Sequence, residues 1–270
     1  MTESTSPTSN GVIANAVRIV AGVAQAAAGL LFPPRCLACG DFDETTGDGL
    51  CFPCATAMTE ARVAPSCPTC AADVAPHEVK LDRCSQCRGH ALKVAWAVRV
   101  GSYRSSLGGL LRAYKYNQRE ELSPLLGRWL SEAIVAAPWL GQVEGIVSVP
   151  THWRRRITRS FHAADALAGL VSRRLELPHL PLLRRLRAGP RQVGLSVTRR
   201  AENVRGAFAL RPGVTLRDAR LLLMDDVRTT GATLEECARV LRRGGASEVY
   251  SAVICRVTFD VPDTPTLSSI

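Results

Sequence analysis

Eight of the ten cysteines in this 270-residue chain stand in four C-x-x-C pairs before residue 90. The pairs are Cys36/Cys39, Cys51/Cys54, Cys67/Cys70 and Cys84/Cys87. The residues around them are mostly Cys, Pro, Thr and Asp, with few large apolar side chains, so this stretch cannot bury a core of its own and needs a staple. Two residues between thiolates let a tight knuckle turn both sulfurs onto one tetrahedral ion, and four thiolates close its coordination sphere. Two structural Zn²⁺ ions are therefore expected, with no open position for chemistry. Gaps of 11 and 13 residues separate the first two and the last two pairs. Consecutive pairing (36/39 with 51/54, 67/70 with 84/87) and an interleaved arrangement both fit that spacing. An iron–sulfur cluster or a redox dithiol is the competing use of such thiols. Cys237 and Cys255 lie on an apolar helix and strand, and are expected to pack in the core.

The opening MTESTSPTSNG lacks the basic stretch of a secretion signal. Paired thiols in a reducing compartment mean metal rather than disulfides, so a cytoplasmic location is expected. Val12–Phe32 is apolar but carries Asn15, Arg18 and Gln25, which makes it a poor membrane span. It reads instead as an amphipathic helix packing on the module that follows, and it stops at Pro33-Pro34. Residues 1–31 thus form a polar tail and an apolar helix, 32–90 a double zinc-ribbon module, 91–260 the main domain and 261–270 a tail.

Within 91–260 the hydrophobic pattern switches repeatedly between strand and helix periods. Strands are expected at 93–103, 145–150, 219–227 and 249–257, and helices at 106–116, 120–136, 160–175, 197–205 and 233–245. Strand, loop, helix and strand repeated in this order mean a parallel sheet flanked by helices, an α/β fold.

The most informative loop is LLLMDDVRTTGAT, residues 221–233. Four apolar residues run into Asp225 and Asp226 at the carboxyl end of a strand, where open α/β sheets bind their ligands. Two adjacent carboxylates repel each other and lose water there, so packing alone does not account for them. After them, Thr229, Thr230 and Thr233 supply hydroxyls, and Gly231 lets backbone N–H groups approach an anion. A helix beginning near Thr233 aims its positive end at the same place. Phosphate belongs in the loop, and the aspartates suit ribose hydroxyls with Mg²⁺ nearby. No Gly-Lys-Ser/Thr follows, which excludes a Walker A loop.

These residues resemble the 5-phosphoribosyl-1-pyrophosphate (PRPP) motif of type I phosphoribosyltransferases. With the four C-x-x-C knuckles, Leu31-Phe32-Pro33-Pro34-Arg35-Cys36, Tyr114-Lys115-Tyr116, Val149-Pro150 and Arg191-Gln192…Arg199…Asn203-Val204-Arg205-Gly206-Ala207-Phe208, the chain is similar to the ComF family of competence proteins over about residues 30–257. The resemblance implies a type I phosphoribosyltransferase-like parallel sheet preceded by a small four-cysteine zinc-ribbon module. It also implies a PRPP or related phosphoribosyl ligand with Mg²⁺. Asp225 and Asp226 would hold the ribose hydroxyls as the candidate catalytic pair. Val227, Arg228, Thr229, Thr230, Gly231, Ala232 and Thr233 would cradle the 5′-phosphate, with Thr151 and His152 facing the pyrophosphate. The family's Arg-Gly-Phe-Asn-Gln-like stretch reads Arg159-Ser160-Phe161-His162-Ala163 here. The chain therefore departs from the pattern at the Gly and the Asn.

Charge adds a second possible partner. The net charge is +10, and residues 151–200 alone hold 12 Lys/Arg against 2 Asp/Glu. Arginines fork onto phosphate oxygens, and this block exceeds what a small ligand can use. A groove for single-stranded DNA or RNA is the alternative, with Tyr114, Tyr116, Trp153 and Phe161 as the aromatics for base stacking. Lys115, between two tyrosines, suits such a surface or a place near the ligand. The family resemblance implies a role in DNA uptake. Neither the acceptor of a phosphoribosyl group nor the oligomeric state is legible in the sequence.

Overall fold

The computed structural model describes residues 35–42, 44–76, 78, 82–150, 162–187 and 204–258. The helix expected over Val12–Phe32, and most of the one expected at 197–205, lie outside the described residues. The chain divides into two compact units between Ala55 and Thr56. That point falls inside the first helix, α1 (Phe52–Val63).

The first unit contains Cys36, Cys39, Cys51 and Cys54, held by backbone turns. Leu37 N–H donates to the Gly49 carbonyl and Thr46 N–H to the Leu50 carbonyl, which ties the first knuckle to the chain entering the second.

In the second unit, β1 (Ala97–Ser102) leads into α2 (Ser106–Tyr116). Ser105 caps α2, its side chain accepting a 3.3 Å hydrogen bond from Leu107 N–H. Leu107, Leu110, Leu111 and Tyr114 follow at helical spacing and are all buried. A 3₁₀ turn at Glu120–Leu122 precedes α3 (Ser123–Val135), with proline in its first turn. The strands and helices that complete the unit are β2 (Gly145–Ser148), α4 (Ala163–Leu175), β3 (Leu183–Arg185), β4 (Phe208–Leu210), β5 (Arg220–Arg228), α5 (Ala232–Arg243) and β6 (Glu248–Arg256).

Four strands form one sheet in the order β1-β6-β5-β2, every neighbouring pair parallel. The expected α/β fold is the observed one. β5 and β6 are central, with apolar, buried runs at Leu221–Met224 and, apart from Ser251, Val249–Cys255, as strands covered on both faces must have. Successive side chains alternate between faces. Leu221, Leu223, Val249 and Val253 join Leu234, Cys237, Ala238 and Leu241 of α5 in one core cluster. Ile146, Leu222, Met224, Tyr250, Ala252 and Ile254 are equally buried, and α3 and α4 pack on the sheet and on each other. Each fully buried aliphatic side chain contributes about 1.5–3 kcal/mol. Cys237 and Cys255 are wholly buried in this core, as expected.

Three elements escape the periodicity of the sequence. β3 and β4 pair antiparallel over only three residues each, too short for an alternation signal. α1 has a weakly amphipathic sequence, and of its side chains only Met58 and Ala61 are buried.

Candidate functional site

All four parallel strands end on the same edge of the sheet. β5 reaches that edge with Asp225, Asp226, Val227 and Arg228, which run as strand rather than loop. β2 lies beside it, in register from Gly145–Leu221 to Ser148–Met224, and Val149 N–H donates to the Met224 carbonyl at 2.9 Å. The segment that leaves β2 therefore starts next to the acids. Thr151 and His152, expected on that segment, lie outside the described residues, as do Arg154, Arg155, Arg156, Arg159 and Arg191.

Adjacent positions on a strand face opposite ways, and the two aspartates have different neighbours. Asp226 turns toward α2, where Lys115 Nζ meets its Oδ1 at 2.9 Å. Burial opposes the Lys115 charge, but Asp226 and then Asp225 outweigh it and hold the ammonium above its ordinary range. Among the described residues no such cation is bonded to Asp225. Burial pushes its carboxyl up to about 8, the Asp226 charge adds to this, and Lys115 opposes it. Asp225 thus favours its protonated form near neutral pH, while Asp226 is tied to Lys115.

Beyond β5 the chain turns at Thr229, Thr230 and Gly231, all at least partly buried. Gly231 caps α5 with φ +84°, where a side chain is strained, and a Cβ there would meet Arg228 Nε at 2.9 Å. Ala232 N–H bonds the Thr230 hydroxyl at 3.3 Å, and α5 starts at Ala232, one residue earlier than its sequence suggests. The first-turn N–H groups of α5 and the hydroxyls of Thr229, Thr230 and Thr233 line one short turn, a layout suited to an anion. Arg228 behaves differently. Its side chain is 3% exposed and lies beneath Gly231, bonded to Glu235 at 3.2 Å. Only its backbone is left to face a ligand.

The cysteines form two groups, Cys36/Cys39/Cys51/Cys54 and Cys67/Cys70/Cys84/Cys87. The pairing is consecutive, and the interleaved alternative is set aside. Within each group all sulfurs lie within 4.8 Å of one another. Individual Sγ–Sγ distances are 3.8 Å for Cys39–Cys51, 3.7 Å for Cys67–Cys87 and 3.6 Å for Cys70–Cys84. Bonds of about 2.3 Å to a tetrahedral zinc place sulfurs about 3.8 Å apart, so both groups fit that ion. The N–H groups of Ala38 and Cys51 point at Cys36 Sγ at 3.4 and 3.3 Å, as in a thiolate knuckle.

Residues 27–88 match the family model described as a double zinc ribbon domain, and residues 164–265 match a phosphoribosyl transferase domain. The DNA utilization protein YhgH of Salmonella typhimurium is 31% identical over 77% of this chain and 90% of its own length. The chain belongs to the ComF family. Competence protein F of Haemophilus influenzae is 29% identical to this ComF-family chain over 80% of it and 93% of the relative. A shorter likeness covers 42 residues, 48% identical, of the adenine phosphoribosyltransferase of Mycobacterium avium, 16% of the chain and 23% of that enzyme.

Several residues of the ComF pattern take places that the motif alone does not specify. Lys115, which suits a nucleic-acid surface or a place near the ligand by its sequence, bonds Asp226. Tyr114, expected as a stacking aromatic, is wholly buried and its hydroxyl accepts from Ser123 at 3.1 Å. It cannot stack on a base, because the helical spacing that places Lys115 on the site side turns Tyr114 into the core. Tyr116 remains exposed. The Val204–Phe208 segment docks on α5: Gly206 N–H donates to Glu236 at 2.6 Å, and Val204, Ala207 and Phe208 are buried. Among the described residues no helix is long and apolar enough to cross a membrane.

Proposed function

We propose that this chain binds PRPP, or a related phosphoribosyl ligand, at the carboxyl end of β5 and transfers the phosphoribosyl group to an acceptor. Asp225 and Asp226 hold the ribose 2′- and 3′-hydroxyls. The backbone of Val227 and Arg228, with Thr229, Thr230, Gly231, Ala232 and Thr233, takes the 5′-phosphate, and Thr151 and His152 face the pyrophosphate. The observation that carries the reading is the pair of aspartates at the end of β5, Asp226 bonded to Lys115 and Asp225 beside it, set against a glycine-capped helix start. Displacement of pyrophosphate at C1 builds positive charge on the ribose ring, so positioning and the nearby Asp226 carboxylate supply the catalysis. No side chain has to act as a covalent nucleophile. Mg²⁺, bound together with the substrate, would supply positive charge to offset that of the pyrophosphate oxygens. Two adjacent carboxyl groups, one tied to Lys115, make a poor cation cage by themselves, and Mg²⁺ favours mixed sites shared with substrate phosphates.

Residues 32–90 serve as the zinc-ribbon module and 91–260 as the phosphoribosyltransferase-like domain, with two structural Zn²⁺ ions bound by the eight cysteines. Reduced metal thiolates fit a cytoplasmic protein. A second reading is favoured by the names of the relatives, a competence protein and a DNA utilization protein, and by the basic block at 151–200. In it, the phosphoribosyl site senses or grips nucleic acid, and single-stranded DNA follows the arginines.

The test is PRPP binding with and without Mg²⁺, followed by pyrophosphate release across a panel of nucleobases. The wild type should be stabilised thermally by PRPP, and Asp225→Asn with Asp226→Asn should abolish that gain while the protein stays folded. Retained binding in the double variant would refute the site. PRPP binding without release for any base, together with salt-sensitive DNA binding, would favour the second reading.

A further inference from the structure

Arg228 and Arg256 end the two central strands, and they are register neighbours across β5 and β6. Both are buried, at 3% and 5% exposure. A guanidinium keeps its proton in a protein, so two positive charges are held out of water at the carboxyl edge of the sheet. Among the described residues one carboxylate pairs with them, Glu235, whose Oε1 lies 3.2 Å from Arg228 Nη2. That carboxylate is itself shared, because its Oε2 accepts from Lys93 N–H at 2.5 Å and from Val94 N–H at 3.3 Å. Arg256 Nη1 donates to the Arg228 carbonyl at 3.3 Å and to the Val257 carbonyl at 2.6 Å, contacts that satisfy protons without offsetting charge. Nε and Nη1 of Arg228 and Nε of Arg256 are buried with no hydrogen-bond partner among the described residues. A buried cation left in this state is strongly disfavoured unless an anion comes near it.

The surroundings show where that anion would sit. The Arg228 guanidinium is tucked under Gly231: its Nε, Nη2 and Cζ come within 2.9, 3.0 and 3.2 Å of where a Cβ would stand. Gly231 caps α5 and closes the turn that holds Thr229 and Thr230. Arg256 Nη1 and Val257 N–H both donate to the Arg228 carbonyl, which fixes the two arginines to the root of that turn. The other shielded cations of this edge have carboxylates of their own. Arg99 meets Asp73 at 2.5 Å and Lys115 meets Asp226 at 2.9 Å. The surplus of positive charge is therefore local to the floor of the turn.

We propose that Arg228 and Arg256 form a buried cationic floor that gives the Thr229–Thr233 turn its hold on a phosphate group. The two side chains are positioning residues. They act through the field beneath the turn, where water screens them little, and the turn's own backbone and hydroxyls make the contacts. A phosphate monoester carries about −1.5 to −2 charges at neutral pH, and seating it above Gly231 offsets the surplus. The charge is fixed in place before the ligand arrives, so nothing has to reorganise on binding. The inference rests on the PRPP reading and names the residues that set its 5′-phosphate affinity.

The probe is ribose 5-phosphate, which carries the 5′-phosphate without the pyrophosphate, titrated calorimetrically into the full-length protein. Should it bind too weakly to measure, PRPP is titrated instead, with the same expectations. Arg228→Met and Arg228→Gln should each weaken binding about 10- to 100-fold, and Arg256→Met should act in the same direction. Arg228→Lys should keep most of the affinity. Glutamine retains donors without charge, so a glutamine variant that binds like wild type would overturn the proposal. Wild-type affinity in a folded methionine variant of either arginine, or a lysine variant as weak as methionine, would do the same while leaving the PRPP site standing. A wild type that binds neither ribose 5-phosphate nor PRPP would overturn the PRPP reading, and the proposal with it. Nitrogen-15 spectra of the wild type decide the matter if the variants do not fold. Buried arginine Nε–H groups exchange slowly, and signals of that slow set should shift when the ligand is added. A slow set that does not move would overturn the proposal.

Discussion

Lys115 and Asp226, 111 residues apart in sequence, meet in a 2.9 Å ion pair that joins α2 to the carboxyl end of β5. Both side chains are largely shielded, at 22% and 13% exposure, so the pair is little screened by water. Lys115→Met leaves two neighbouring carboxyl groups without their cation. A loss of about 1–3 kcal/mol is expected in urea unfolding at neutral pH. A double-mutant cycle with Asp226→Asn should show strong coupling, and additive losses would mean that the contact contributes nothing as a pair.

Asp225 makes a prediction about pH. Folded, its carboxyl holds a proton up to about 8. Unfolded, an aspartate releases it near pH ~4. Between those values the folded state binds more protons than the unfolded one, so stability from this group falls as pH rises. Asp225→Asn removes the effect. Melting temperatures of both proteins from pH 5 to 9 should diverge in favour of the asparagine variant up to about pH 8 and run parallel above it. A constant difference would show that Asp225 ionises normally.

Gly231 carries both a left-handed backbone and a close neighbour, with φ +84° and Arg228 Nε 2.9 Å from the position of a Cβ. Gly231→Ala is expected to cost about 1–3 kcal/mol by thermal unfolding and to weaken PRPP-dependent stabilisation as the turn shifts. An alanine variant with unchanged melting and unchanged ligand response would show that the turn adapts freely.

Consecutive cysteine grouping predicts a metal count. Cys36→Ser with Cys51→Ser strikes one group and should leave one zinc equivalent, whereas Cys36→Ser with Cys84→Ser strikes both and should leave none. Zinc release by a mercurial reagent, read with a colorimetric chelator, counts the ions. Interleaved coordination would give other stoichiometries.

Much of the fold was legible because its signals are local. The apolar runs that became β5 and β6, the amphipathic spacing of Leu107, Leu110, Leu111 and Tyr114, and the C-x-x-C knuckles are each complete within a dozen residues. The acids and the threonine–glycine turn were readable for the same reason. β3 and β4 were not, because a three-residue strand is defined only by its partner. Tyr114 and Lys115 show the same boundary at the site. Both belong to one motif, yet the turn of α2 sends one into the core and the other to Asp226.

The sequence by itself determined the parallel α/β class, the thiols available for two metal groups, and the position of two carboxylates before a glycine turn. These depend on residue type, short spacing and the two periods of strand and helix. Only the tertiary structure decided which cysteines come together, that Lys115 bonds Asp226 and not Asp225, and that Arg228 lies under its own turn. The sulfurs that meet across each cysteine group come from residues 12 to 20 positions apart, and the Lys115–Asp226 pair from residues 111 apart. What settles them is the desolvation of charges brought together at one edge of the sheet, which no local pattern encodes.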